Sequence, residues 1–97
     1  LSVYATCKSA MSGFTRVLAK EVGRDKIRVN CVVPGWVMTE RQVSLWLDEA
    51  GEQAMDANHC IPGRIVGADI ANMVMFLAAD TARMITAQEF VVDAGWS

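Results

Sequence analysis

The chain has 97 residues, and 53% of them are hydrophobic, enough to build a core and too many for a disordered segment. At this length it makes at most one small domain with little stability to spare. Nine Lys and Arg against eleven Asp and Glu leave a net charge of -2 with no basic block, which argues against a nucleic-acid partner, and apolar runs broken by charges every few residues exclude a membrane helix.

From Tyr4 to Val22 the apolar residues Cys7, Met11, Phe14, Leu18 and Val22 recur at helical spacing, with Ser9, Ser12, Arg16 and Lys20 on the other side, so an amphipathic helix is expected. Gly23 is the expected stop, and "GRDK" a turn into "IRVNCVV". That β-branched run predicts a strand from Ile27 to Val33, buried on both faces as in a parallel sheet and ended by Pro34 and Gly35. Glu40 to His59 reads as two short helices broken near Gly51, and "CIPGRIVG" as a loop. Ala68 to Ala79 is a second strong helix with Asp69 favourably placed in its first turn, and Glu89 to Asp93 a closing strand. Helix, strand, helices, strand is an α/β order, and a right-handed crossover makes the two strands parallel.

Cys7, Cys31 and Cys60 are odd in number and lack a Cys-x-x-Cys spacing, so neither a disulfide framework nor a zinc site is expected, and reduced thiols imply a cytoplasmic location. The sequence starts at Leu1 and enters a helical pattern within three residues, which leads us to expect a piece of a longer chain.

Tyr4 and Lys8 lie one helical turn apart, on one face. A phenol titrates near pH 10, and a close ammonium lowers that by roughly 1 to 3 units, which suits proton exchange near neutrality. Taken alone, the spacing is common enough to arise by chance.

The order of features is less common. "YATCK" on a long helix, then "IRVNCVVPGWVMT", "GRIVGADIANMVMFLAAD" and "ITAQEFVVDAG", closely resembles the C-terminal part of the short-chain dehydrogenase/reductase family, over essentially the whole chain. Within that family "VVPG", "GRIV" and a "DAGW" ending are most similar to bacterial sugar dehydrogenases of the xylose 1-dehydrogenase kind. The resemblance implies the C-terminal portion of a Rossmann-type doubly wound parallel sheet, without its N-terminal dinucleotide-binding half. It also implies an oxidoreductase that interconverts an alcohol and a carbonyl with NAD or NADP.

Carried over by residue, the resemblance makes Tyr4 and Lys8 both catalytic and cofactor-binding, with Tyr4 the general acid/base, and Lys8 the group that holds the nicotinamide ribose and tunes the phenol. Pro34 and Gly35 form the turn after a central strand, where Val37 and Thr39 bind the nicotinamide carboxamide. Hydride transfer needs the ring pinned, and a Pro-Gly turn lets the backbone approach it. An ordinary strand terminator reads the same way. Trp36, Met38, Arg41 and Trp46 fall in the segment that covers the substrate; the tryptophans fit stacking on a sugar or burial against the sheet equally well.

Ala87 and Ala94 stand where the family often has glycine, so right-handed or extended backbone is expected at both. The glycine-rich phosphate loop, catalytic serine and helix asparagine belong upstream in this family, and Ser2, Ser9 and Ser12 are not placed to replace that serine. His59 has no second histidine nearby and reads as a solvated loop residue, with no metal expected. The competing readings are a non-catalytic α/β assembly module and a ketone, steroid or oxoacyl reductase of the same family. A short, apolar two-stranded sheet further implies a homo-oligomer, or a chain held by the rest of its enzyme, joined through the tyrosine helix and through the last helix and strand.

Overall fold

A computed structural model of the chain describes residues 1–45 and 47–96. Helix α1 runs Ser2–Val22 and leaves through a 3-10 turn, Gly23–Asp25. Gly23 follows the last helical residue but stays right-handed, φ -63°; the left-handed residue that reverses the chain is Lys26, φ 60°, whose N–H donates to the Gly23 carbonyl at 3.0 Å. A lysine tolerates this at a modest steric cost because the turn bond and the adjoining Ile27 to Val22 bond hold the reversal.

Strands β1, Cys31–Pro34, and β2, Glu89–Val92, pair in parallel with Cys31 opposite Glu89 and Pro34 opposite Val92. The parallel α/β arrangement is as expected, but β1 starts four residues later than the Ile27 to Val33 pattern suggested. Across residues 27–30 the ladder is replaced by side-chain bonds: Asn30 Nδ2 donates to the Ile85 carbonyl at 2.9 Å and its Oδ1 accepts from the Gln88 N–H at 3.2 Å. Thr86 Oγ1 accepts from the Val29 N–H at 3.1 Å, and the Ala87 N–H donates to the Val29 carbonyl at 2.8 Å. The turn at Ala87, φ 62°, takes the opposite segment off strand geometry, so regular pairing begins only beyond it. β2 likewise stops at Val92, one residue short of Asp93.

Ala87 and Ala94 are both left-handed, φ 62° and 56°, contrary to the expectation of right-handed or extended backbone. The turns on either side of β2 keep the conformation a glycine would favour, at a cost of about 1 kcal/mol each.

Helices α2, Glu40–Leu45, and α3, Glu49–Asn58, are separated before Asp48 rather than near Gly51. Asp48 is the cause: its Oδ1 accepts from the Gly51 N–H at 2.7 Å and caps α3, which draws Gly51 into the first turn. Helix α4 runs Gly67–Ala78, and Asp69 Oδ2 accepts from the Val66 N–H at 2.7 Å at its start. The 59–66 loop also carries a parallel bridge between Ile65 and Val37. No described helix is long and apolar enough to cross a membrane.

Helix α4 packs on both strands and α1 on β1. Among the described residues, those buried are Thr15, Ala19, Met55, Ile65, Leu77 and Ala82; on α1 these carry small side chains, and of the expected apolar stripe only Leu18 and Val22 are half-buried, by the end of the helix. Thr15 is satisfied there by donating to the Met11 carbonyl at 2.7 Å, while Met11 and Phe14 stay 49% and 58% exposed. Val33 is 37% exposed and Pro34 is exposed, so β1 is not covered on both faces within this chain. The radius of gyration is 15.7 Å, against about 13 Å for a self-contained domain of this length.

Candidate active site

The sequence candidates fall at the N-terminal half of α1 and at the carboxyl ends of the strands, where open α/β sheets place their ligands. On α1, Lys8 Nζ lies 5.6 Å from the centre of the Tyr4 ring, and Tyr4 is 64% exposed. One turn of helix suffices to bring ammonium and phenol together.

Lys8 also lines a cleft of about 520 Å³ together with Ser12, Cys31, Val33, Pro34 and Glu89. The structure therefore joins Lys8 both to Tyr4 and to the end of β1. Tyr4 itself is not part of that cleft's lining.

Beyond Pro34 the chain is fixed by its backbone. The Gly35 N–H donates to the Val92 carbonyl at 2.8 Å, and a Cβ on Gly35 would stand 2.8 Å from Cα and Cβ of Asp93. This position demands glycine because another main chain crosses it. Val37 bridges Ile65, the Met38 N–H donates to the Ile65 carbonyl at 2.8 Å, and the Thr39 N–H to the Val37 carbonyl at 3.0 Å. Thr39 Oγ1 accepts from the Gln42 N–H at 3.2 Å, capping α2 and leaving its own O–H free to donate elsewhere.

Trp36 turns toward the helices. Its indole Nε1–H donates to Gln42 Oε1 at 2.9 Å, and its six-membered ring lies over Gly51, where a Cβ would be 2.8 Å from Cη2. Half-burial of Trp36 thus comes from α2 and α3. Arg41 is exposed on α2, Met38 is half-buried, and Trp46 lies outside the described residues.

Sequence reasoning missed Ile65 and Asp93, which back the 35–38 segment. Ile65 is buried and gives two of that segment's contacts, yet "GRIVG" carries no period that marks it. His59 also differs from expectation: it is half-buried, its Nδ1 is 3.3 Å from the Gly63 carbonyl oxygen, and its ring meets Trp96 edge-on at 5.8 Å. Packing of the residues after β2 against the 59–61 loop removes it from solvent. Nearby, Arg64 Nη1 donates to Asp56 Oδ1 at 2.9 Å, and this bond raises the guanidinium further above its ordinary value.

A parallel strand pair flanked by helices, with Lys8 set between Tyr4 and β1, makes this an α/β fold. The sequence profile described as enoyl-(acyl carrier protein) reductase matches residues 1–97. D-xylose 1-dehydrogenase of Caulobacter vibrioides is 48% identical over 96 residues, covering 99% of this chain and 38% of that protein. A probable galactose dehydrogenase of Rhizobium meliloti is 38% identical over 95 residues, covering 98% of this chain and 37% of that protein. The solved structure of 4-hydroxyisoleucine dehydrogenase complexed with NADH superposes with a TM-score of 0.92 at 32% identity, over 99% of this chain and 40% of that one. The chain belongs to the short-chain dehydrogenase/reductase family, and it spans well under half the length of these relatives.

Proposed function

We propose that the protein is an NAD- or NADP-dependent oxidoreductase that interconverts an alcohol and a carbonyl, with the anomeric carbon of a pentose or hexose as the favoured substrate. This chain supplies the C-terminal portion of its single domain, and the glycine-rich phosphate loop belongs to an upstream portion. The observation that carries the reading is Lys8, which stands 5.6 Å from the Tyr4 ring and also lines the cleft that runs along β1 from Cys31 to Pro34. The two sugar dehydrogenases among the relatives favour a sugar.

Three features support a nicotinamide group here: Lys8 borders an open cleft along β1, the Gly35 turn beyond that cleft is held by Val92, and the Thr39 Oγ1 that caps α2 can still donate its proton. When bound, that group accepts or delivers the hydride. Tyr4 takes the proton from the substrate hydroxyl, or returns it to the carbonyl, through its exposed phenolic oxygen. Lys8 donates to the ribose hydroxyls and places positive charge beside the phenol. Pro34, Gly35 and Val37 present fixed backbone to the ring, and Thr39 donates to its carboxamide. Trp36, Met38, Arg41 and Trp46 belong to the segment over the substrate. The protein acts in the cytoplasm as a homo-oligomer.

The test is a substrate screen on the full-length protein, following reduced nicotinamide while D-xylose, D-galactose and non-sugar alcohols are offered with each dinucleotide. Turnover of the aldoses above the other alcohols is expected. Preference for a ketone or an oxoacyl thioester in the reductive direction refutes the sugar assignment.

A further inference from the structure

We propose that Trp36 is a latch that sets the position of α2 and α3, acting on the substrate through these helices rather than by touching it. The backbone beneath Trp36 cannot shift: Gly35 is bonded to Val92 at 2.8 Å and pressed on Asp93, while Met38 is bonded to Ile65 at 2.8 Å. From that base one side chain reaches two helices. Its N–H donates to Gln42 on α2 at 2.9 Å, and its ring edge covers Gly51 on α3.

Helix α2 has six residues, too few to hold its shape unaided. Its other described hydrogen bonds are local: Thr39 caps it, Ser44 donates to the Arg41 carbonyl, and the Leu47 N–H donates to the Gln42 carbonyl. Thr39, itself bonded to the Val37 carbonyl, holds the start of α2 by accepting from the Gln42 and Val43 N–H groups. The Gln42–Trp36 bond is the described side-chain tie between the strand-end frame and the helix beyond that cap. Helix α3 has separate anchors in fully buried Met55 and in the Asp56–Arg64 pair at 2.9 Å. Loss of the latch should accordingly release α2 first.

The indole N–H is committed to Gln42, and the ring edge to Gly51, so neither is available to a sugar. Arg41 precedes Gln42 on the helix that the latch holds, so releasing Trp36 displaces Arg41 from its place over the substrate. That consequence rests on the dehydrogenase reading above; the mechanical claim does not.

The experiment uses the full-length protein and the variants Trp36→Phe, Gln42→Leu and Gln42→Glu, the last of which keeps an accepting oxygen. Hydrogen exchange read by mass spectrometry should quicken across residues 40–45 by roughly two- to tenfold in Trp36→Phe and Gln42→Leu, the effect of one lost hydrogen bond. It should stay near wild type in Gln42→Glu and over α4 and β2 in every variant. Substrate KM should rise in the first two variants while dinucleotide KM holds. Unchanged exchange across 40–45, or faster exchange spread equally over α4 and β2, overturns the latch. Raised KM with unchanged exchange also overturns it and makes Trp36 a direct substrate contact. The local exchange pattern in a protein without dehydrogenase activity supports the latch and rejects the catalytic reading.

Discussion

Lys8 Nζ stands 5.6 Å from the centre of the Tyr4 ring, one turn along α1, and the same lysine borders the cleft that runs along β1 to Pro34. Phenol and strand end are thus linked through a single cation. On the proposed reading, Tyr4→Phe in the full-length protein removes the proton donor and no cofactor charge contact, so kcat should fall by roughly 10²- to 10⁴-fold with dinucleotide affinity nearly intact. Steady-state kinetics and a dinucleotide titration measure both, and wild-type turnover in the phenylalanine variant refutes the assignment. Lys8→Ala should damage dinucleotide KM and kcat together if, as proposed, that side chain serves ribose and phenol alike.

Gly35→Ala forces a methyl to within 2.8 Å of the Asp93 main chain and 3.1 Å of Ile65 Cδ1. Relief requires β1 and the segment after β2 to part, an overpacking cost of about 1–3 kcal/mol. Urea unfolding should show a lower midpoint at unchanged slope, and dinucleotide affinity should fall with it. An unaltered midpoint contradicts the close approach.

Ala87→Gly and Ala94→Gly should each stabilise the protein, by up to about 0.5 kcal/mol, because φ of 62° and 56° strains alanine more than the added freedom of glycine costs the unfolded chain. Thermal unfolding of the two single variants and the double variant provides the measurement. A lower melting temperature in either single variant shows that the left-handed turn is not the governing term there.

Phe14 is 58% exposed on α1, beside Met11 at 49% and Val17 at 57%. Such a stripe is the kind of surface a second subunit covers. Phe14→Gln in the full-length protein should therefore leave unfolding free energy within about 0.5 kcal/mol and raise the subunit dissociation constant by about tenfold or more. Sedimentation across a concentration series reads the second quantity. Lost stability with unchanged association assigns the stripe to cover from within the same subunit.

Much of this protein was legible in its residues alone. The period of Cys7 to Val22 marks α1, that of Ala68 to Ala79 marks α4, and the β-branched runs mark two strands in an order that makes them parallel. The Tyr4–Lys8 pairing follows from one turn of helix. These features depend on neighbours within a few positions, which a linear sequence displays directly.

What only the tertiary structure decided involves partners far apart in the chain. β1 begins at Cys31 because Asn30 and Thr86 replace the ladder below it, and Gly35 is required because Asp93 crosses it. On α1 the small side chains of Thr15 and Ala19 are buried, while Phe14 stays exposed and Met11 borders the open cleft beside β1, an arrangement that depends on how the helix lies on the sheet. Trp36 faces Gln42 and Gly51, and His59 leaves solvent against Trp96, through packing between segments that no local period records. The left-handed backbone at Ala87 and Ala94 was hidden for the same reason: residue type argues against it, and the bonds from Ala87 to Val29 and from Cys60 to Ala94 impose it.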